Sequence, residues 1–252
     1  MANTETIKTE QPTCPDCGSP LKQITSNLFG IKRSFWVKEC NCYDKKVQTR
    51  KEAERKEYLK DKFKSANVGE RYLNITLDKL ETLKTEHIID ARNFVNTFDS
   101  KKSKSLHLIG KPGNGKTSIA NAIIKDLTSR NYDCRYITWS DFKQRWDSSK
   151  SFTAKSNTTE MMRWLRSFDL VVLDEFIINT KDEKEINLAS DLLDSWYRNK
   201  KVFILINNPC DIEEMKKIKR LEKSFDRLRE QADKWFFEHD SYRIQVYGGT
   251  YD

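Results

Sequence analysis

From about residue 65 onward, short apolar runs alternate with longer stretches whose apolar residues recur at helical spacing. Strands that alternate with helices in this way predict an α/β fold with a mostly parallel sheet flanked by helices. The polar segment at residues 148–159 is typical of a loop. We expect strands at Leu106–Ile109, Tyr136–Thr138, Leu170–Leu173, Val202–Ile206, Trp235–Phe237 and Tyr242–Tyr247, and helices at Thr117–Ser129, Glu160–Ser167 and Glu185–Asn199.

The first 64 residues follow a different pattern. Residues 14–44 contain four of the six cysteines, which indicates a compact unit built around them. Residues 45–64 have no Gly or Pro and few apolar positions, so they predict an exposed, basic helical linker. We therefore expect a cysteine-containing N-terminal domain at residues 1–44, a linker at 45–64 and a third domain at 65–252.

The positive charge is concentrated in the same N-terminal quarter. The 252 residues include 46 Lys and Arg against 38 Asp and Glu, a net charge of +8. Residues 1–64 contribute 14 − 9 = +5 of that excess. Such an excess fits an anionic partner such as nucleic acid, although a solvated surface with spare lysines gives the same count.

Two classes of protein are not expected. No apolar stretch approaches the ~20 residues that a membrane-spanning helix needs, and the first residues lack the basic and then apolar order of a secretory signal. We therefore expect a cytoplasmic protein with no membrane partner. Its cysteines are then expected to be thiols or metal ligands rather than disulfides.

A phosphate-binding motif, G-x-x-x-x-G-K-[ST], occurs at residues 110–117, between a predicted strand and a predicted helix. Its glycines permit a tight turn, and amide N–H groups at the helix N-terminus face the anion. Lys116 would place its charge on the β- and γ-phosphates of ATP, and the Thr117 hydroxyl suits Mg²⁺. The expected ATP cradle consists of Gly110, Pro112, Gly113, Asn114, Gly115, Lys116, Thr117 and Ser118.

Two acids, Asp174 and Glu175, end the apolar run Leu170–Leu173. A buried parallel strand presents its carboxyl end at the ligand crevice, beside the phosphate loop. Asp174 would hold Mg²⁺ through water, since that cation prefers oxygen ligands. Glu175 would orient and polarise the attacking water. The alternative is an acidic strand end that caps a helix.

Two asparagines follow the run Val202–Ile206. An amide at the end of a strand that adjoins the phosphate loop can position the γ-phosphate or the water. Both Asn207 and Asn208 are candidates, with Asn208 slightly preferred, and an ordinary Asn-Pro turn is the alternative.

The N-terminal cysteines form two close pairs, Cys14 with Cys17 and Cys40 with Cys42, separated by 22 residues. Such pairs resemble a zinc ribbon or knuckle, although the second pair has one intervening residue instead of two. A unit of about thirty residues is too small for a hydrophobic core of its own, and Zn²⁺ binding supplies ~10–16 kcal/mol in such peptides. A redox pair and an iron–sulfur site are the alternatives. We expect Cys134 and Cys210 to be buried thiols.

The chain combines a phosphate loop, an Asp-Glu strand end, a strand-end asparagine and a basic helical tail. The segments concerned include Gly110–Thr117, Tyr136–Phe142, Phe225–Arg229 and Asp240–Arg243. This combination resembles the AAA+ ATPases and, more narrowly, the bacterial and phage replicative helicase loaders of the DnaC/DnaI type, over about residues 65–252. The N-terminal cysteines resemble the DnaI branch, whose N-terminal domain binds zinc and contacts the helicase, and this mixture suggests a relative from a phage or mobile element.

The resemblance also implies roles for arginines in the tail. Arg227 matches an arginine finger that reaches the γ-phosphate in the neighbouring subunit, with Arg229 as the second candidate. Arg243 matches the sensor-2 arginine, which contacts nucleotide in its own subunit. A finger supplied by a neighbour implies self-association into a ring or spiral.

The function implied is an ATP-dependent loader that binds the replicative hexameric helicase through residues 1–64 and holds single-stranded DNA. The alternatives are a transposition-helper ATPase of the IstB type and a nucleotide-gated adaptor with little turnover. Aromatic residues among basic ones could stack on DNA bases. Of Trp139, Phe142, Trp146 and Phe152, we favour a core position for the first two and DNA contact for Phe152.

Overall fold

The computed structural model describes residues 11–28, 30–82, 87–148 and 154–239. The chain divides into two compact units, Met1–Tyr58 and Leu59–Asp252. Over the described ranges, no helix has the length and apolar character needed to cross a bilayer.

The N-terminal unit contains a β-hairpin followed by a helix. Strands β1 (Lys22–Leu28) and β2 (Ile31–Val37) pair antiparallel, with Leu28 opposite Ile31 at the turn. Gly30 has φ 79° there, a left-handed conformation that glycine adopts without steric cost. Helix α1 (Cys42–Ser65) then runs through the predicted linker and has no buried residue.

The second unit is built on a five-stranded sheet in the order β4-β5-β6-β3-β7, in which every pairing is parallel. This arrangement confirms the predicted α/β class, and five of the six predicted strands match within a few residues. The sixth, Tyr242–Tyr247, lies outside the described residues. The strands are β3 (Ser105–Gly110), β4 (Cys134–Thr138), β5 (Leu170–Asp174), β6 (Phe203–Asn207) and β7 (Ala232–Phe237).

Helices cover both faces of this sheet. Because successive strand residues point to opposite faces, Val172 packs into one hydrophobic layer with α3 and α4, whereas Leu173 packs into the other with α5 to α9. The helices are α2 (Leu77–Thr82), α3 (Ile88–Thr97), α4 (Lys116–Ser129), α5 (Trp139–Ser148), α6 (Ala154–Ser167), α7 (Glu183–Arg198), α8 (Pro209–Lys216) and α9 (Lys219–Gln231), with a 3₁₀ turn at Glu70–Tyr72.

Two local expectations were wrong. The segment predicted as a loop at residues 148–159 is helical from Ala154, because the polar start of α6 continues into an amphipathic helix whose Met162 and Leu165 are buried. Cys210 is exposed rather than buried, since the chain leaves the sheet after Asn207 and Cys210 lies in the first turn of α8. Cys134 is buried as expected.

Candidate nucleotide-binding site

The predicted phosphate loop connects β3 to α4. Gly113 and Gly115 have φ angles of 86° and 95°, a backbone conformation that residues with a side chain rarely adopt. A Cβ at Gly110 would lie 2.5 Å from the carbonyl oxygen of Phe237, so this position also requires glycine. No side chain caps the N-terminus of α4, so its first-turn N–H groups and the positive end of its dipole remain for an anion.

Lys116 lies over the loop and is buried there. Its Nζ donates to the carbonyl oxygens of Gly110 and Lys111, both at 2.6 Å, and to Asn114 Oδ1 at 3.0 Å. Burial lowers the pKa of Lys116 to about 8, while the negative charge of Asp174 partly opposes that shift. Asn114 in turn donates to the carbonyl oxygen of Phe237 at 2.7 Å and so fixes the loop to the end of β7.

Asp174 is buried and accepts several hydrogen bonds. It is 3% exposed at the end of β5, and its Oδ2 accepts from Thr117 Oγ1 and from the hydroxyl of Tyr136, both at 2.8 Å. Because the Thr117 hydroxyl donates to Asp174, its oxygen lone pairs remain for a cation. A carboxylate and a hydroxyl in contact form the hard oxygen donor set that Mg²⁺ prefers, so these residues fit the metal.

Glu175 is exposed next to Asp174 and adopts a left-handed conformation with φ 51°. A glutamate in this region costs about 1–3 kcal/mol, and such strain concentrates at functional sites. Its backbone N–H donates to Asp174 Oδ1 at 2.7 Å. The side chain at this strand end is therefore available to solvent, as a residue that orients water must be.

The two asparagines differ in their surroundings. Asn207 is 2% exposed and lies opposite Ile109, next to the phosphate loop. Its Oδ1 is 3.0 Å from His107 Nε2, and its Nδ2 donates to the carbonyl oxygen of Phe176 at 2.6 Å. Asn208 is half-buried, and its Nδ2 donates to Asp211 Oδ2 at 2.9 Å. Asn207 is thus the rigid residue of the pair, and Asn208 the more accessible one.

The two candidate finger arginines lie on α9. Arg227 is exposed and donates to Asp194 Oδ1 on α7 at 2.6 Å, with its guanidinium over the ring of Tyr197. Arg229 pairs with Asp226 at 3.0 Å. Arg243 lies outside the described residues.

The four N-terminal cysteines come together in the first unit. The Sγ atoms of Cys14, Cys17, Cys40 and Cys42 all lie within 4.8 Å of one another. A tetrahedral zinc site with Zn–S bonds of about 2.3 Å has sulfur–sulfur distances of roughly 3.8 Å, so the cluster fits Zn²⁺ with little adjustment. The hydrogen bond between Cys42 and Cys17 favours the protonated thiol and so raises the pKa of Cys42 to about 12.

Two aromatic residues of α5 are core residues, as expected. Trp139 and Phe142 are 2% and 0% exposed, so they belong to the core and are not available to DNA. Trp139 donates to the buried Glu185, which also pairs with Lys143 at 2.6 Å. Phe152 lies outside the described residues.

Two further residues contact the site, and the sequence predicted no role there for either of them. Tyr136 contacts Asp174 across 38 positions of the chain, and His107 contacts Asn207 across 100. Burial lowers the pKa of His107 to about 4, so its ring is neutral and can donate from Nε2. Both residues lie on predicted strands, and neighbouring parallel strands bring distant residues together. That position was the only hint in the sequence of a role at the site.

The sequence of this chain is similar to those of known proteins. The family model described as "IstB-like ATP binding protein" matches residues 81–247. The replicative helicase loader DnaC of Escherichia coli strain K12 is 32% identical over 164 residues, which span 64% of this chain and 64% of that protein. The DnaC loader of Buchnera aphidicola subsp. Acyrthosiphon pisum is 28% identical over 192 residues, 74% of this chain and 76% of its own. The chain thus matches 64% of the length of the E. coli protein, less than two thirds of it, and 76% of the length of the Buchnera protein.

Solved structures share the fold. A crystal structure of the DnaC helicase loader superposes with a TM-score of 0.54 at 21% identity, over 67% of this chain and 99% of that one. The crystal structure of DnaI gives a TM-score of 0.53 at 17% identity, over 68% and 94%. The second unit therefore has the AAA+ fold that the motifs predicted.

Proposed function

Because this chain belongs to the family of IstB-like ATP-binding proteins, we propose that it is an ATP-dependent loader of a replicative DNA helicase. The observation that carries the proposal is the contact of Thr117 with Asp174 beneath a phosphate loop whose helix has no side-chain cap. Those groups hold a triphosphate and its cation, and a strained, exposed Glu175 lies next to them.

In the proposed mechanism, the loop amides and Lys116 bind the phosphates of ATP, and Thr117 and Asp174 hold Mg²⁺. The cation, when bound, neutralises charge on the phosphate oxygens. Glu175 orients the attacking water, and Asn207 or Asn208 senses the γ-phosphate. Arg227 completes the site of a neighbouring copy, so hydrolysis accompanies assembly into a ring or spiral.

The first unit would bind the helicase. Its four-cysteine cluster holds Zn²⁺ in this proposal, and the β-hairpin presents Ile24, Ile31 and Phe35, which are 37%, 57% and 45% exposed. Ile24 pairs with Phe35 across the hairpin, and Ile31 lies four positions before Phe35 on β2. The three side chains therefore share one face of the hairpin. An exposed apolar face of this kind marks a protein interaction site.

Single-stranded DNA is the second proposed partner. The guanidinium groups of Arg135 and Arg145 lie 5.4 Å and 4.9 Å from the ring centre of Trp164. Cationic groups beside planar ones hold single strands without reading their sequence. The alternative of a transposition-helper ATPase shares the same core, but the 32% and 28% identical relatives are helicase loaders.

Lys116→Ala tests the nucleotide site. We expect ATP affinity to fall at least about a hundredfold, since a charge-assisted contact to phosphate is lost. Lys101→Ala, at an exposed lysine outside the loop, should leave it unchanged. ATP binds the protonated form of Lys116. The ATP affinity of the wild-type protein should therefore decline as the pH rises above about 8, where Lys116 loses its proton in the nucleotide-free protein. Unchanged affinity of Lys116→Ala in a fluorescence titration contradicts the nucleotide site.

A pull-down from host lysate, with and without ATP, tests the partner. We expect a replicative helicase to be retained by the full chain and lost with Phe35→Ala. Capture of a transposase instead would favour the transposition alternative.

A further inference from the structure

Asp174 is held by three donors at once. Its carboxylate has about four lone-pair sites, and two on Oδ2 are filled by Thr117 and Tyr136, while the Glu175 N–H takes one on Oδ1. Thr117 belongs to the phosphate loop, and Glu175 directly follows the last residue of β5. Tyr136 comes from a different strand, so its contribution depends on where β4 is held.

Strand β4 lies at one end of the sheet order, and its side away from β5 is fixed by another part of the chain. The Tyr136 N–H donates to the carbonyl oxygen of Ala66 at 2.8 Å, and the Tyr136 carbonyl accepts from Asn67 Nδ2 at 3.1 Å. Arg135 adds a bond to the carbonyl oxygen of Ser65 at 2.7 Å. Both the N–H and the carbonyl of Tyr136 are thus bonded to the segment that ends α1.

That segment has a defined geometry. The N–H of Val68 bonds to the carbonyl of Phe63 at 3.0 Å and that of Asn67 to Lys64 at 2.9 Å, which is the Schellman pattern. Asn67 occupies its left-handed position with φ 60°. Asparagine tolerates this conformation, and its amide then reaches Tyr136. One residue therefore ends the helix and anchors the strand.

We propose that Tyr136 is a positioning residue of the Mg²⁺ site, held in place by Asn67 at the end of α1. Its hydroxyl fixes the orientation of the Asp174 carboxylate, which leaves about one lone-pair site on that group for a metal-bound water. The proposal rests on the function above, in which Asp174 holds Mg²⁺. It adds that the C-terminal cap of α1 contributes to metal affinity through Tyr136.

The test is Tyr136→Phe, with Mn²⁺ as the probe in place of Mg²⁺. Electron paramagnetic resonance would measure Mn²⁺ affinity of the complex with a non-hydrolysable ATP analogue, and fluorescence titration would measure analogue affinity without metal. We expect Mn²⁺ affinity to fall about tenfold, as for other residues that orient a metal ligand, and metal-free affinity to stay within about twofold. Tyr132→Phe is the matched control, because Tyr132 is also half-buried and its hydroxyl donates to the carbonyl of Phe98.

A second variant, Asn67→Gly, keeps the left-handed conformation and removes only the amide contact. We expect about a threefold loss of Mn²⁺ affinity, since a neutral hydrogen bond is weaker than one to a carboxylate. Unchanged Mn²⁺ affinity in Tyr136→Phe, or an equal loss of metal-free analogue affinity, overturns the proposal. Should Tyr136→Phe not fold, unchanged Mn²⁺ affinity in Asn67→Gly overturns it. Failure of the wild-type protein to bind the analogue and Mn²⁺ together would instead overturn the proposed function, and this inference with it.

Discussion

The two compact units are stabilised by different means. In Leu59–Asp252 the central strands β3, β5 and β6 are buried along their whole length between two apolar layers. In the described part of Met1–Tyr58 the one buried apolar residue is Cys14, and the hairpin leaves Phe35 and Trp36 more than 40% exposed. One unit has a core that can offset the entropy of folding, and the other has a four-cysteine cluster in its place.

This contrast in packing indicates which unit can bind phosphate and which can bind a partner protein. A phosphate site needs loop and strand ends fixed to within fractions of an ångström, which only the packed sheet supplies. A partner surface needs exposed apolar residues, which a core would have covered. The small unit can keep them exposed if a metal, rather than burial, orders it.

The largest expected effect is removal of zinc. Chelation or Cys42→Ser should unfold the hairpin unit, because structural zinc contributes ~10–16 kcal/mol in units of this size. Amide exchange at residues 22–37 should then become fast, while ATP affinity stays within about twofold, since the sites are independent. Elemental analysis should find about one Zn²⁺ per wild-type chain and the same in the control Cys210→Ser, an exposed cysteine outside the cluster. A wild-type chain without zinc would remove the contrast between the units.

The reciprocal change is Phe203→Ala in the second unit. Phe203 is fully buried on β6 and stacks on Trp196 with ring centres 4.6 Å apart. Its loss should cost about 3–5 kcal/mol of unfolding free energy, measured by urea denaturation, with zinc content unchanged. The exposed Phe236→Ala is a control of the same residue type. Loss of zinc on Phe203→Ala would mean that the units do not fold separately.

Arg227→Ala tests whether ATP hydrolysis in one copy of the second unit requires an arginine from another copy. We expect ATP turnover to fall about a thousandfold, roughly 4 kcal/mol, with ATP binding retained. Arg220→Ala is the matched control, because Arg220 is another exposed α9 arginine that pairs with an α7 acid, Asp191. Mixing Lys116→Ala with Arg227→Ala should restore part of the activity, since each supplies what the other lacks. Normal turnover by Arg227→Ala would place the finger elsewhere, with Arg229 tested next.

The smallest expected effect on stability is that of Phe35→Ala. An exposed side chain should change the unfolding free energy by less than about 0.5 kcal/mol, yet partner affinity should fall by more than about 1 kcal/mol if the hairpin face is the interface. Calorimetry gives the first value and surface plasmon resonance the second. Lys32→Ala on the opposite face of the hairpin should change neither. Equal affinity of Phe35→Ala and wild type would exclude this face as the interface.

The α/β class, the phosphate loop and the acidic strand end could all be predicted from the amino-acid sequence. These signals are local: glycines at fixed spacing, an apolar run ending in Asp174 and Glu175, and four cysteines in two close pairs. A local pattern can be read because its chemistry depends on neighbours along the chain. The helical start of α6 was missed because its first residues are polar, and polarity alone does not separate an exposed helix from a loop.

The residues that complete the site from distant parts of the chain could be identified only from the three-dimensional fold. Tyr136 reaches Asp174, His107 reaches Asn207 and Asn114 reaches Phe237 because parallel strands bring their carboxyl ends to one edge of the sheet. The fold likewise left Cys210 exposed, where the sequence predicted a buried thiol. Contacts across tens of residues depend on strand order and on how the layers pack, and neither is encoded at a single position of the chain.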